Sequence, residues 1–438
     1  MRRAVVLGGS IAGLLAARVL HDFADEVTIL EPDHERASTT RSGAPHRDQL
    51  HALLAMGHEQ LERLFPALTE EMTEAGAHLG SGEQIQFYID GKLKPPVLDI
   101  RMLGATRTFI EDHVRRRVLD LPRIKILPHR STGVRVTAGR VDAISYATAE
   151  GHRSELPADF TVDAMGRSSR LSRWLEKEGW PAPRVERMRI ELGYATARFH
   201  RGHELPDTVI AHSTPGPASN YLPSVCEPGA LTAVENDRWN VVLAGYTGYR
   251  PTSDPSAFLT RMRRCVAPIQ QVADLCTMEG EPTTFHVRDS RRRHYLELPR
   301  LPGGLAVIGD ALVSVNPIYG QGLTLCALQA SALDRHLRSG TSPHHPATGY
   351  FRRANTVVSA AWQLSTTADL AQPHVTGPYP LGYSVIRWAA DRVTEASIVD
   401  SEINRTFMDV LHMRRHPRAL TNPRVLLRTA RTLATRTT

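Results

Sequence analysis

The sequence has few cysteines, few lysines and no long apolar run, and each scarcity excludes a class of protein. The four cysteines contain no CxxC pair, which argues against a structural zinc site or a disulfide framework and favours a reducing, cytoplasmic location. No apolar run reaches the roughly 18 residues that a transmembrane helix needs. The 20 histidines form no HExxH motif, so no metal site is predicted.

The positive charge is carried by arginine. Lysine and arginine together number 53, only four of these are lysines, and the formal net charge is +7. The arginines are scattered and no nucleic-acid-binding module accompanies them, so we expect no nucleic-acid partner. Because arginine holds phosphates through paired hydrogen bonds, its abundance also suits a phosphate-bearing cofactor.

The N-terminal residues have the pattern of a βαβ unit. Two apolar strands and a helix surround the turn Gly8–Gly13, and the second strand ends at Glu31. A helix that begins at such a turn presents free N–H groups and a positive dipole end to a pyrophosphate. Glu31 has nearly the spacing expected of a carboxylate on a ribose hydroxyl, and it disfavours a 2′-phosphate there. Although Ser10 replaces the middle glycine of the GxGxxG pattern, a dinucleotide site is predicted.

Two further turns with ligand-binding character lie far along the chain. The segment Asp163–Arg170 follows an apolar strand and precedes a predicted helix. A buried strand ends at Gly309-Asp310, and Asn316–Gly322 then begins a long helix. A carboxylate at a strand end can bind a sugar hydroxyl, and a glycine-rich helix start offers backbone donors. Two ligand-facing turns so far apart imply an extended cofactor, because NAD alone would not need the second.

In these three segments the chain resembles the group A flavoprotein monooxygenases, whose archetype is para-hydroxybenzoate hydroxylase. More narrowly, it is similar to the squalene-epoxidase-like and polyether-epoxidase-like enzymes of bacterial natural-product pathways. The resemblance implies an α/β (α+β) fold, with a Rossmann-like FAD-binding domain, an inserted and mostly antiparallel substrate-binding sheet, and C-terminal helices. It also implies that NAD(P)H reduces FAD, that O₂ forms a C4a-hydroperoxyflavin, and that one oxygen atom passes to a small hydrophobic organic substrate.

The resemblance further implies roles for individual residues. Those expected to bind the adenosine, pyrophosphate and adjoining parts of FAD are Gly8, Ser10, Ile11, Ala12, Gly13, Glu31, Arg41 and Arg107. Those expected at the ribityl chain and the isoalloxazine are Asp310, Pro317, Gly320, Gln321 and Gly322. The dipole of the helix after Gly322 would stabilise negative charge near flavin N1 and O2.

Five side chains are candidates for shaping the substrate site: His51, Tyr194, Arg293, Tyr295 and Tyr319. Each has a plainer alternative. His51 could be a core histidine at a helix start, Tyr194 could pack under the sheet, and Arg293 could be a surface arginine. No Ser-His-Asp set is present, so the catalytic residues stay unassigned, in keeping with chemistry that a cofactor carries.

The predicted organisation is discontinuous. We assign 1–80, 104–184 and 300–340 to the FAD-binding domain, 81–103 and 185–299 to the substrate-binding sheet, and 341–438 to C-terminal helices. A single helix is predicted over Pro255–Leu275. The last helix is basic and amphipathic, and we expect it to pack on the body, with contact to a membrane surface as the alternative. Its apolar face is predicted to consist of Leu426, Leu427, Ala430 and Leu433.

Three functions from different classes are compatible with these features. The leading hypothesis is an NAD(P)H- and O₂-dependent epoxidase or hydroxylase acting on a polyketide or terpenoid in natural-product biosynthesis. A second is an FAD-scaffolded cyclase without redox turnover, and a third is a flavin-dependent prenyl-chain reductase. A halogenase is disfavoured because no Trp-x-Trp-x-Ile-Pro segment is present. We expect a monomer or a homodimer.

Overall fold

A five-stranded parallel sheet forms one layer of the computed structural model, which describes residues 1–33 and 49–435. Its strands lie in the order β17 (Leu305–Val307), β11 (Phe160–Asp163), β1 (Arg3–Leu7), β2 (Glu26–Leu30) and β7 (Ile124–Leu127). Strands β17, β11, β1 and β2 are almost wholly buried. Their sequences are largely apolar because parallel strands are covered on both faces.

An eight-stranded sheet forms the second layer. Its strands lie in the order β18 (Val313–Ser314), β16 (Met278–Arg293), β12 (Val185–His200), β15 (Arg238–Tyr246), β14 (Gly229–Val234), β13 (Ile210–Thr214), β4 (Ile85–Ile89) and β5 (Lys92–Leu93). All neighbours are antiparallel except β13 and β4. The predicted strands of this region fall within β12, β14 and β15. Asp90 and Gly91 join β4 to β5 with positive φ values of 48° and 72°, as a tight hairpin turn requires.

Helices and two small sheets complete the part that precedes the C-terminal helices. The helices are α1 (Ile11–His21), α2 (Ala55–Leu64), α3 (Leu68–Glu74), α4 (Arg107–Leu119), α5 (Leu171–Lys177), α6 (Pro255–Met262), α7 (Ala267–Leu275) and α8 (Gly322–Leu337). The small sheets pair β3 (His78–Ser81) with β6 (Arg101–Gly104), and β8 (Arg130–Thr137) with β9 (Arg140–Ala147) and β10 (Arg153–Pro157). Helix α1 contacts both α4 and α8.

The prediction of one helix over Pro255–Leu275 was wrong, because the segment forms α6 and α7 with a break between them. Pro268 occupies the first turn of α7. A proline has no N–H to donate and cannot continue a helix from the preceding turn, whereas it is well tolerated at a helix start.

The C-terminal region consists of α9 (Thr348–Asp369), α10 (Tyr383–Ser397), α11 (Ser401–Leu411) and α12 (Pro423–Ala434). Helix α12 packs on α10 and α11 through Val425 and Leu433. The predicted apolar face was wrong in part, because Leu426, Leu427 and Ala430 are exposed and only Leu433 of the four is partly buried. In the described residues, no helix is both long and apolar enough to span a bilayer.

The parallel sheet, the largely antiparallel sheet and the C-terminal helices confirm the predicted fold class. The domain boundaries given above stay a prediction.

Candidate functional site

The three ligand-facing turns are in direct contact with one another. Gly8 has φ +101°, and a Cβ there would lie 2.7 Å from the carbonyl oxygen of Ala164 in the second segment. Likewise, a Cβ on Gly309 would lie 2.8 Å from Cβ of Ala12. The first turn therefore touches both of the others, and only glycine allows so close an approach.

Beside the first turn, backbone N–H groups fix the carboxylate of Glu31, which follows β2. Its Oε2 accepts from the N–H of Gly9 at 2.7 Å, and its Oε1 accepts from the N–H of Asp33 at 3.0 Å. Gly13 closes the unit, because a Cβ there would lie 1.9 Å from the carbonyl oxygen of Gly8. Helix α1 can therefore approach β1 only with glycine at that position.

One face of α4 supports the first turn. Arg107 donates from Nη1 to His51 Nε2 at 3.0 Å and from Nη2 to Ser10 Oγ at 3.4 Å. Glu111 accepts from Ser10 Oγ at 3.0 Å, and Arg115 donates to the Gly9 carbonyl at 2.5 Å. Glu111 and Arg115 were not predicted from the sequence. Their spacing of four and eight residues from Arg107 was a usable signal, because such positions share a helix face.

The second segment folds around a buried carboxyl group. Asp163 is fully buried and accepts from the N–H of Met165 at 3.0 Å and from the hydroxyl of Ser169. Burial raises its pKa to about 6, against the opposing effect of these hydrogen bonds. Arg167 follows in the same turn, and its Nη1 donates to Ser314 Oγ at 2.6 Å. The carboxyl group thus shapes the turn, while the arginine lies in the cavity wall.

Arg293 joins the second and third segments. It donates to the carbonyl oxygens of Ala311 at 2.7 Å and Arg167 at 3.2 Å. Beside these carbonyls, Asp310 lies in the cavity wall. Desolvation raises the pKa of Asp310, against the opposing positive charges of Arg167 and Arg107. Arg293 is half-buried and binds the backbone of both turns. It therefore matches neither of the two predicted alternatives, a side chain in the substrate site or a surface arginine.

A buried polar cluster holds the loop before α8. Asp369 is fully buried and accepts from Asn316 Nδ2 at 2.7 Å, Tyr319 OH at 2.9 Å and Ser365 Oγ at 3.3 Å. Burial raises the pKa of Asp369 to about 7, although these hydrogen bonds lower it. The loop ends at Gly320, where φ is +65° and a Cβ would lie 2.9 Å from Cβ of Ala52.

A single cavity of about 1190 Å³ joins these parts. The predicted cofactor residues that line it are Gly8, Ser10, Ile11, Ala12, Glu31, Arg107, Asp310, Pro317, Gly320 and Gly322. Of the substrate-site candidates, His51, Tyr194 and Tyr319 line it, whereas Arg293 and Tyr295 do not. Tyr295 lies in the core, stacked on Phe351 with ring centroids 5.5 Å apart. Arg41 lies outside the described residues.

Gly13 and Gln321 lie behind the cavity lining. Gln321 is only 1% exposed, and neither of its amide atoms has a hydrogen-bond partner within the described residues. Buried amides are normally paired, so Gln321 is an exception, and it does not face the cavity. The glycine turns and the carboxylates of Glu31 and Asp310, which do line the cavity, fit an extended dinucleotide such as FAD.

The cavity continues over the eight-stranded sheet, where much of its lining is apolar. Residues of this wall include Leu192, Ile210, Leu231, Val242 and Phe285. Pockets for drug-sized ligands usually measure roughly 300–1,000 Å³, so this cavity exceeds what one such ligand fills. Within residues 1–33 and 49–435, no group of three or more metal-ligating side chains was found.

The chain matches one family model and is similar to known proteins in sequence and in structure. The family model described as FAD binding domain matches residues 2–342. Protein Rv3254 of Mycobacterium tuberculosis (strain ATCC 25618 / H37Rv) is 29% identical over 398 residues, which cover 86% of this chain and 82% of the relative. The flavin-dependent brominase Bmp2 superposes with a TM-score of 0.68 at 14% identity, covering 99% of this chain and 98% of its own. The p-nitrophenol 4-monooxygenase PnpA from Pseudomonas putida DLL-E4 superposes with a TM-score of 0.67 at 16% identity, covering 95% and 100%.

Proposed function

Because the chain belongs to the FAD binding domain family, we propose that it is an FAD-dependent monooxygenase that uses NAD(P)H and O₂ to epoxidise or hydroxylate a hydrophobic substrate. The proposed substrate class is a polyketide or terpenoid, in a reaction like those of squalene-epoxidase-like and polyether-epoxidase-like enzymes. The observation that supports the proposal is the single cavity, which joins the three turns to a largely apolar wall over the sheet.

The residues that would hold FAD are those of the three turns. The N–H groups at the start of α1 would bind the pyrophosphate, with Arg107 beside them. Glu31 would accept from a ribose hydroxyl and Asp310 from the ribityl chain, since both line the cavity. Bound FAD would supply the redox chemistry, namely oxidation of NAD(P)H and transfer of one oxygen atom from O₂.

The protein contributes position and a dry environment. The Asp369 cluster fixes the loop Asn316–Gly320 on one side of the cavity. On the other side, Tyr194 of β12 is 8% exposed and packs against Phe285, with ring centroids 5.8 Å apart. An apolar wall excludes water and protects a reactive oxidant from loss to solvent.

The hydrogen bonds of His51 support a positioning role for it rather than proton donation from Nε2. Arg107 donates to that nitrogen, so it carries no proton, while Nδ1 donates to the carbonyl of Gln49 at 2.7 Å. In this arrangement His51 orients the Arg107 guanidinium toward Ser10.

The proposal is tested with FAD-loaded protein and a panel of terpenoid and polyketide alkenes and arenes. We expect a substrate of this class to stimulate NAD(P)H oxidation, and isotopically labelled O₂ to place a single labelled atom in the product. Product formed without NAD(P)H and O₂ would instead identify the cyclase, and anaerobic product formed with NAD(P)H would identify the reductase. A panel that never couples NAD(P)H oxidation to oxygen incorporation contradicts the proposal.

A further inference from the structure

Lys94 is a buried residue in the wall of the cavity. Only 4% of its surface is exposed. Its backbone N–H donates to the Phe87 carbonyl at 2.9 Å, which fixes it at the end of the β4–β5 hairpin. Its Nζ lies 3.6 Å from the centre of the Phe407 ring and 4.0 Å from Met408 Sδ. An aromatic ring and a thioether are weak partners for an ammonium group.

Among the described residues, no carboxylate forms an ion pair with Lys94, whereas Lys125, for example, pairs with Glu26. Desolvation accordingly lowers the pKa of Lys94 well below its ordinary value. An ammonium group taken out of water without a counter-charge is strongly disfavoured, and a cation–π contact recovers only part of the cost. The amine can therefore bind an acidic partner, and the described residues supply none.

His212 on β13 also lines the cavity, and it is linked to Lys94 through Phe87, whose carbonyl accepts from the N–H of Lys94 and whose ring packs against His212. Its ring centroid is 5.5 Å from that of Phe87, and its Nδ1 has no hydrogen-bond partner in the described part of the chain. Burial, with a contribution from Lys94, lowers the pKa of His212 to about 4. The imidazole is therefore neutral at neutral pH, so it adds a hydrogen-bond donor beside the lysine and no second positive charge.

Apolar side chains connect this position with the loop before α8. Leu54, Ile210 and Met408 belong to one buried cluster, and Ala52 packs against it. Ala52 is also the residue that a Cβ on Gly320 would meet at 2.9 Å. A molecule with one polar end at Lys94 can therefore place an apolar body toward this loop.

We propose that Lys94 and His212 anchor an acidic oxygen of the substrate, as a carboxylic acid, a phenol or an enol. A phenol or an enol gives its O–H proton to Nζ of Lys94, whereas a carboxylate arrives already ionised and Nζ takes its proton from water. In each case the oxyanion accepts hydrogen bonds from Nζ and from the imidazole N–H. The assignment of this ligand as the substrate rests on the proposed function. It places the oxidised position on the apolar body, away from the acidic group.

The experiment is equilibrium binding to the FAD-loaded protein, without NAD(P)H, by titration calorimetry. The probes are biphenylcarboxylate, hydroxybiphenyl and the neutral methyl ester of biphenylcarboxylate. The variant is Lys94→Met, which keeps an unbranched side chain and removes the charge. The matched control is Lys92→Met, because Lys92 is exposed and lies on the same hairpin.

We expect at least one of the two acids to bind about tenfold more tightly than the ester, which corresponds to about 1.4 kcal/mol. Lys94→Met should abolish this preference without changing the ester, and Lys92→Met should retain it. Which acid is preferred distinguishes a carboxylate from a phenol or enol. The proposal is overturned if the wild type shows no preference, if the preference survives in Lys94→Met, or if acid and ester weaken together. Binding needs no turnover, so a failure of the monooxygenase assay leaves this result interpretable.

Discussion

Replacing Asp369 by asparagine should make the stability of the protein, relative to that of the wild type, increase as pH rises. Burial raises the pKa of this carboxyl from 3.8 to about 7. The folded state therefore keeps a proton that the unfolded chain releases. This contribution to stability is fully present below about pH 4 and is lost as pH rises through about pH 7.

The magnitude follows from the same values. The change from 3.8 to about 7 spans about 3 pH units, and each unit corresponds to about 1.4 kcal/mol, which sets an upper bound of ~4 kcal/mol. Asparagine does not titrate, and its Oδ1 can still accept from Asn316 and Tyr319. The unfolding free energy of Asp369→Asn minus that of the wild type should therefore rise by up to ~4 kcal/mol between about pH 4 and about pH 8.

Urea denaturation of both proteins across this pH range measures the difference directly. The exposed Asp120→Asn is the matched control and should stay within about 0.5 kcal/mol of the wild type throughout. A difference for Asp369→Asn that is the same at every pH, or that falls as pH rises, would refute the argument from burial.

Three further variants test the turns. Gly13→Ala forces a Cβ to 1.9 Å from the Gly8 carbonyl oxygen, so chemical denaturation should show a loss of about 3 kcal/mol or more together with loss of bound FAD. A Cβ on Gly322 meets no atom within 4 Å, so the unfolding free energy of Gly322→Ala should stay the same or rise by up to ~1 kcal/mol. Because Gly322 lines the cavity, the added methyl group should lower FAD affinity about tenfold, as measured by flavin fluorescence. Arg115→Met removes the donor to Gly9 and a buried partner of Glu111, and should cost about 3 kcal/mol in denaturation, whereas the exposed Arg116→Met should cost less than about 1 kcal/mol. Equal losses in the last pair would contradict the role given to Arg115.

Four of the five strands of the parallel sheet, all except β7, and the turns could be predicted because their signals are local. Apolar runs end at Glu31, Asp163 and Gly309, and parallel strands place their carboxyl ends at one edge of the sheet. The convergence of the three segments follows from that arrangement. The strands β12, β14 and β15 were also predictable, since each carries a clear apolar pattern.

Strand β16 could not be predicted in the same way. Its sequence is rich in charged and polar residues and contains Pro282, which argues against a strand. In the structure the register with β12 shifts between Thr196 and Arg198, so Gly280–Pro282 are skipped in the pairing. A bulge of this kind accommodates the proline. The sheet of β8, β9 and β10 was missed because much of it is exposed and lacks a strong alternation.

Side-chain roles in the site depended on contacts that no local pattern encodes. Arg293 lies in an arginine-rich run that resembles a surface segment, yet it binds the backbone of two distant turns. Lys94 follows an exposed hairpin strand, and its burial comes from α11, more than 300 residues away along the chain. Arg115 differs from both, since its helical spacing from Arg107 could have identified it.

The most direct test of the account is a titration of FAD into flavin-free protein, for the wild type, Glu31→Gln and Asp310→Asn. The two carboxylates belong to turns that are far apart in sequence and line the same cavity. We predict a single FAD per chain in the wild type and weaker binding of that same FAD in both variants. A folded protein that takes up no FAD, or an affinity that responds to Glu31 and not to Asp310, would contradict the claim that the three turns hold one cofactor.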